Sequence, residues 1–134
     1  MSLIVKDSER MEVKVSYLER GNELLFYEPS EQVPEGATLQ SETFWFRRPN
    51  WAATRAIMAE SFIMNGDDRP EFNLYKFMDA KLKKLVCDWT LADSEGRKLA
   101  LSNSNIDKLH PGVVTYLNAK IEELLSPEPE KVKK

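Results

Sequence analysis

Few side chains in this 134-residue chain can do covalent or metal chemistry, and they are widely spaced. There is one cysteine, Cys87, and one histidine, His110. A nucleophilic thiol needs a histidine or a helix N-terminus beside it to lower its pKa. Cys87 sits near the end of a helical-period segment, the wrong end for that purpose, and reads as a small, partly buried apolar residue. His110 precedes Pro111 and reads as a corner between two helices. A Ser-His-Asp arrangement meets only in space, and no Gly-x-Ser-x-Gly turn supports one here. A zinc site would need several carboxylates, and no ligand pair has helical metal spacing. The acidic stretch "DWTLADSEG" at 88–96 invites comparison with a calcium loop. With Gly96 at the glycine position, Asp93 and Glu95 fall on ligand positions, but Leu91 takes the first and Ser102 the last, where a bidentate glutamate is required. The five glycines, at 21, 36, 66, 96 and 112, form no phosphate-binding loop. The expectation is a chain with no catalytic residue, no cofactor and no metal, and therefore no enzyme.

Residues that make contacts are denser. The stretch "FWFRRPNW" at 44–51 holds four large aromatics and two arginines. If Phe44 and Phe46 pack beneath helices, Trp45 and Arg47 project from the other face of a strand. Trp and Arg are the types that most often dominate protein interfaces. Trp45, Arg47, Arg48, Trp51 and Met58 are the candidate protein-binding set. Core roles stay open for part of it: Trp45 could cover the domain's own helices. Trp51 opens a helix and Trp89 closes another, and both read as core.

The elements that must position these residues follow from hydrophobic period. "MEVKVSY" at 11–17 alternates apolar and polar, the period of a half-buried strand. "ERGN" at 19–22 is a turn, and "ELLFYE" at 23–28 is the return strand of a hairpin. "PSEQVPEGAT" at 29–38 reads as an exposed loop and "TLQSETFWF" at 38–46 as a third strand. Asn50 is a good cap for a helix over 51–64, which "NGDDRP" stops with Gly66 at the C-terminal cap. A longer helix is expected from Phe72 to Leu91, with Leu74, Tyr75, Met78, Leu82, Leu85, Val86 and Trp89 on one face. "ADSEGRKLAL" at 92–101 is a turn with a short extended piece. Ser102 or Asn103 caps a brief helix, and Pro111 opens a last one striped with Val113, Val114, Leu117, Ile121, Leu124 and Leu125. The expected plan is α+β and helix-dominant. An N-terminal arm (1–10) leads into a single domain (11–125), in which a β-hairpin or short sheet (11–46) precedes a compact bundle of about four helices (50–125). A loose tail (126–134) follows.

Composition narrows the class. Hydrophobic residues make up 42% and charged residues 31%, as in soluble globular domains. No apolar run approaches the roughly 20 residues that span a bilayer, and the N-terminus does not have the pattern of a signal peptide. One cysteine and no export signal point to the cytoplasm. Net charge is −3, and the basic clusters Arg47–Arg48 and Lys81/Lys83/Lys84 are offset by Glu42, Glu71 and Asp79, so neither nucleic acid nor membrane is the expected partner.

One resemblance covers residues 44–125. "FWFRRPNW", an Ala-rich helix, and then "LVCDWTLADSEGRKLALSNSNIDKLHPGVVTYLNAKIEELL" at 85–125 resemble the tail assembly chaperones of long-tailed bacteriophages. The telling part is a helix closing with Trp, a D-x-E-G-x-x-L turn, the polar cap "SNSN", a Leu and Pro, and a final helix. The resemblance implies a non-catalytic protein of the bacterial host cytoplasm. It would bind the phage tape-measure protein, keep its long apolar helices soluble, promote tail tube assembly around it, and leave before the virion is complete. It also implies a longer form made by ribosomal frameshifting, with which Lys133–Lys134 is compatible. Contact with the tail tube protein and self-association belong to the same expectation. The strand "TFWF" and an adjacent helical groove are the expected binding surface, with Met58, Met64 and Met78 as adaptable contacts. Two rivals share the composition: a tail or baseplate adaptor retained in the virion, and a module that inhibits a host protein.

Overall fold

The computed structural model describes residues 3–126. In chain order the elements are β1 (Arg10–Arg20), β2 (Glu23–Tyr27), β3 (Gln40–Arg47), α1 (Trp51–Ala59), β4 (Phe62–Met64), β5 (Pro70–Phe72), α2 (Leu74–Leu85), β6 (Val86–Trp89), α3 (Asn103–Ile106) and α4 (Pro111–Leu125). The expected tail lies outside the described residues from 127 onward.

The alternation read in 11–17 does what a period of two requires. Met11, Val13 and Val15 are buried, while the residues between them face away. The chain reverses through Gly21, whose φ of 61° suits the first position of a two-residue hairpin turn, and β2 pairs back antiparallel to β1. On its other side β1 takes β3, with Val13 opposite Phe44 and Met11 opposite Phe46. β6 then pairs with the free side of β3, giving a four-stranded antiparallel sheet of order β2-β1-β3-β6. One face of that sheet is apolar and must be covered. Leu117 and Ile121 of α4, Leu82 and Leu85 of α2, Ile57 of α1 and Ile106 of α3 complete one core with it. Local caps start the helices where the sequence indicates. Asn50 accepts from the Ala53 N–H, Ser102 from Asn105, and Pro111 lies in the first turn of α4.

Several expectations need correction. The fold is not helix-dominant: helix and strand take 32% and 29% of the described residues. The helix expected over Phe72–Leu91 ends at Leu85, and Val86–Trp89 is a strand. Leu82, Leu85 and Trp89 sit at helical spacing, but Trp89 is buried because β6 pairs it with Phe44 across the sheet. The helix expected over 51–64 ends at Ala59, and Phe62–Met64 pairs with Pro70–Phe72 as a separate hairpin, so Gly66 lies in that hairpin's loop and caps no helix. No separate β element and four-helix bundle exist, because the sheet takes its fourth strand from the segment expected to be wholly helical. Nor are Leu74 and Tyr75 core residues: both face solvent, while Ala80, Leu82 and Leu85 carry the burial of α2.

Trp89 anchors the second half of the chain. It is 1% exposed, meets Phe44 edge-on at 6.1 Å between centroids, and donates its indole N–H to the Leu99 carbonyl at 2.8 Å. The intervening turn is built by Asp93, whose carboxylate accepts from the backbone N–H groups of Arg97 and Glu95. The Arg97 N–H holds the Asp93 carboxyl below the usual aspartate value of 3.8; burial opposes it, and the Glu95 N–H and the Arg97 side chain add to the lowering.

Two outcomes follow from this packing. Leu117→Ala, at a fully buried site, should cost roughly 2–5 kcal/mol in urea unfolding, as large-to-small core changes do. Leu74→Ala should cost less than about 1 kcal/mol, since the side chain is largely in water. A depressed carboxylate stabilises above its unfolded pKa and ceases to as pH falls through its folded value. Amide protection in the 91–99 turn, taken relative to the intrinsic exchange rate at each pH, should therefore fall on acidification below the usual aspartate range. Asp93→Asn should abolish that acid-dependent step.

Candidate protein-binding surface

The structure divides the stretch at 44–51 among four environments. Phe44 and Phe46 are core, 2% and 0% exposed. Trp45 lies half-buried on the opposite face of the sheet, between Glu12 and Asp88 of the neighbouring strands. Over Phe44–Phe46 β3 is paired on both sides, so that part of it presents no free edge to a partner strand. Arg47 and Arg48 are exposed and line a polar pocket of about 370 Å³ with Lys6, Asp7, Asn50 and Lys84. Trp51 is not core. It is the first residue of α1 and is 74% exposed.

Trp51 and Met58 stand seven residues apart on α1, two helical turns, and so share a face. Met58 also lines a groove of about 230 Å³ between α1, α2 and α4, with Ile57, Phe77, Leu85 and Leu125. The groove holds one buried charge. Lys81 pairs with Glu122 and places its ammonium 4.6 Å from the centre of the Phe77 ring.

From the groove an apolar path continues outward. Phe77 lies 5.5 Å from Phe72, and Phe72 lies 5.8 Å from Phe62 across the β4–β5 pair. This hairpin has no core of its own. All six residues of its strands are exposed, among them Phe62, Ile63, Met64 and Phe72. It is held at the base, where buried Ser61 donates to the Ile57 carbonyl and its own carbonyl accepts from Asn73 at 2.7 Å. It is held at the tip by Asn65, whose side chain accepts from Asp67 and Arg69 and donates to Glu71. Leu74 and Tyr75, in the first turn of α2, extend the same exposed run.

Among the described residues, twelve large hydrophobics are well exposed, and eight of them fall between Trp51 and Tyr75. Scattered exposed hydrophobics need no explanation, and their concentration on one segment makes that segment the candidate surface. Of the candidate set, Trp51 and Met58 belong to it. Trp45, Arg47 and Arg48 flank it in sequence but sit on the sheet and in the polar pocket. Phe62, Ile63, Phe72 and Tyr75 went unrecognised as surface residues. The signal for the hairpin was Asn65-Gly66-Asp67-Asp68 between Phe62-Ile63-Met64 and Pro70-Glu71-Phe72, which fits a hairpin loop as well as a helix stop.

Cys87 lies in β6 and points its thiol at the Trp45 carbonyl, 3.3 Å away. His110 caps α4: its Nδ1 accepts from the Gly112 N–H and its Nε2 lies 3.1 Å from the Asn22 carbonyl, as the tautomer with its hydrogen on Nε2 requires. Among the described residues no three His, Cys, Asp or Glu side chains gather to hold a metal ion, and no helix is long and apolar enough to cross a membrane. Comparison with protein families, curated proteins and solved structures finds no match for this chain.

The three tryptophans offer a direct check. Trp89 is buried, Trp45 half-buried and Trp51 exposed. Trp51→Phe should remove most of the iodide-quenchable fluorescence and shift the remaining emission to the blue. Trp89→Phe should leave the quenchable component in place.

Proposed function

We propose that this protein is a tail assembly chaperone of the phage type that its sequence resembles, and that it holds apolar helices of a tape-measure protein on the surface between Trp51 and Tyr75. The observation that supports this is the concentration of exposed aromatic, methionine and aliphatic side chains on α1, the β4–β5 hairpin and the first turn of α2. Unbranched, polarisable Met58 and Met64 adapt to helices of varied sequence. The groove beside Met58 offers a seat for one apolar side chain of a helix laid across it.

Magnitudes favour holding with release. A helix covering about 400 Å² of apolar area would gain roughly 10 kcal/mol at about 25 cal/mol per Å². Association costs about 4–15 kcal/mol, which leaves a reversible complex. Such binding is stoichiometric and needs no nucleotide. The net charge of −3 helps keep the loaded complex dispersed.

Co-expression with the tape-measure protein encoded by the same phage tests the proposal. The wild-type chain should keep that protein in the soluble fraction and be missing from purified virions. A variant carrying Trp51→Ser, Met64→Ser and Tyr75→Ser should fold with unchanged circular dichroism yet leave most of the tape-measure protein insoluble. Recovery of the wild-type chain in finished particles would mark it as a structural component instead.

A further inference from the structure

A second concavity, of about 540 Å³, shares no residue with the surface from Trp51 to Tyr75. Its floor is the apolar face of the sheet, where Val15 and Phe44 are each 2% exposed. Leu24 of β2, Leu91 after β6, Leu109 before α4 and Val113 within α4 supply apolar walls. Its rim is acidic. Glu19 and Glu42, on the face of the sheet that carries Val15 and Phe44, line it with the turn from Gly21 to Glu23, and no lysine or arginine does; the Glu23 side chain shares the opposite face with Arg20. Among the described residues none of the three carboxylates is in an ion pair. Arg20 stands opposite Glu23 in the β1–β2 ladder but forms no such pair. Glu42 accepts one hydrogen bond, from the Thr90 hydroxyl at 2.6 Å. Tyr17, in the wall, has its hydroxyl pushed up by burial first and then by the nearby Glu42 and Glu19 carboxylates.

We infer that this groove takes a basic amphipathic segment of a protein partner, seating a leucine- or isoleucine-sized side chain among Leu24, Leu91, Leu109 and Val113 while flanking lysines or arginines meet Glu19 and Glu42. An apolar floor under an unpaired acidic rim complements a segment of that kind. Nucleic acid and anionic lipid carry the same sign of charge as the rim and are repelled. A second copy is a poor occupant, because the longest leucine–lysine run of this chain, Lys81-Leu82-Lys83-Lys84-Leu85, buries Lys81, Leu82 and Leu85 in its core. The inference stands on its own residues and does not depend on what binds between Trp51 and Tyr75.

A fluorescein-labelled amphipathic leucine–lysine helical peptide, with a leucine–glutamate peptide of the same pattern as control, tests it by fluorescence anisotropy on the full chain. The basic peptide should bind and the acidic one should not. Glu19→Gln with Glu42→Gln, which keeps side-chain size and the Thr90 contact, should weaken binding about tenfold. Glu12→Gln with Glu35→Gln makes the same change in net charge outside the groove and should alter it less than about twofold. Amide NMR shifts on adding the peptide should centre on Leu24, Leu91, Leu109 and Val113. Equal losses in both double variants would mean attraction to net charge alone, and shifts confined to 62–77 would place the peptide elsewhere. Either result overturns the inference.

Discussion

Trp89 is held from three directions, and the arrangement of the molecule depends on it. Its strand pairs with β3, its ring meets Phe44 edge-on, and its indole N–H bonds to the Leu99 carbonyl. Because β6 begins at the residue after α2 ends, fixing Trp89 also fixes the axis of α2 against the sheet. The Leu99 contact ties down the far side of the Asp93 turn and so sets where α3 and α4 begin. A side chain of this size, buried with its one donor satisfied, combines a large apolar contribution with a directional constraint. The anchor organises two halves of the chain that share no local sequence signal.

That core leaves part of the chain uncovered. One face of a four-stranded sheet can be roofed by α4, α2 and single residues from α1 and α3, and here it is. The segment from α1 into the β4–β5 hairpin therefore contributes only Ile57 and Ser61 to the buried interior. Its remaining apolar side chains are held in place by Ser61, Asn65 and Asn73, polar groups that shape the backbone without covering the surface. Apolar groups kept in water on a locally ordered hairpin are costly to keep exposed, and a partner that removes them from water recovers that cost.

The sequence was most legible where the signal is local. Period-two alternation in 11–17, the glycine turn at 21, and the caps at Asn50, Ser102 and Pro111 each follow from the chemistry of a few neighbouring residues. What escaped was non-local. Leu82, Leu85 and Trp89 satisfy helical spacing, and only the pairing of Trp89 with Phe44, forty-five positions earlier, makes 86–89 a strand. β4 and β5 have three residues each, too short for any period to show, and their exposed apolar side chains imitate a buried run. Trp51 read as core because large aromatics usually are, yet as the first residue of α1 it projects into solvent. The acidic groove could not be read at all, since Glu19 and Glu42 come to one face only once β1 and β3 are aligned.

The most direct measurement is hydrogen exchange of the free chain and of its complex with the tape-measure protein, read peptide by peptide by mass spectrometry. Binding of apolar helices between Trp51 and Tyr75 predicts slowed exchange in peptides covering 58–77, where the β4–β5 hairpin is open in the free chain, with β1 and β2 unchanged. Slowed exchange confined to the sheet and the groove near Glu19, with 58–77 exchanging as in the free chain, would contradict it.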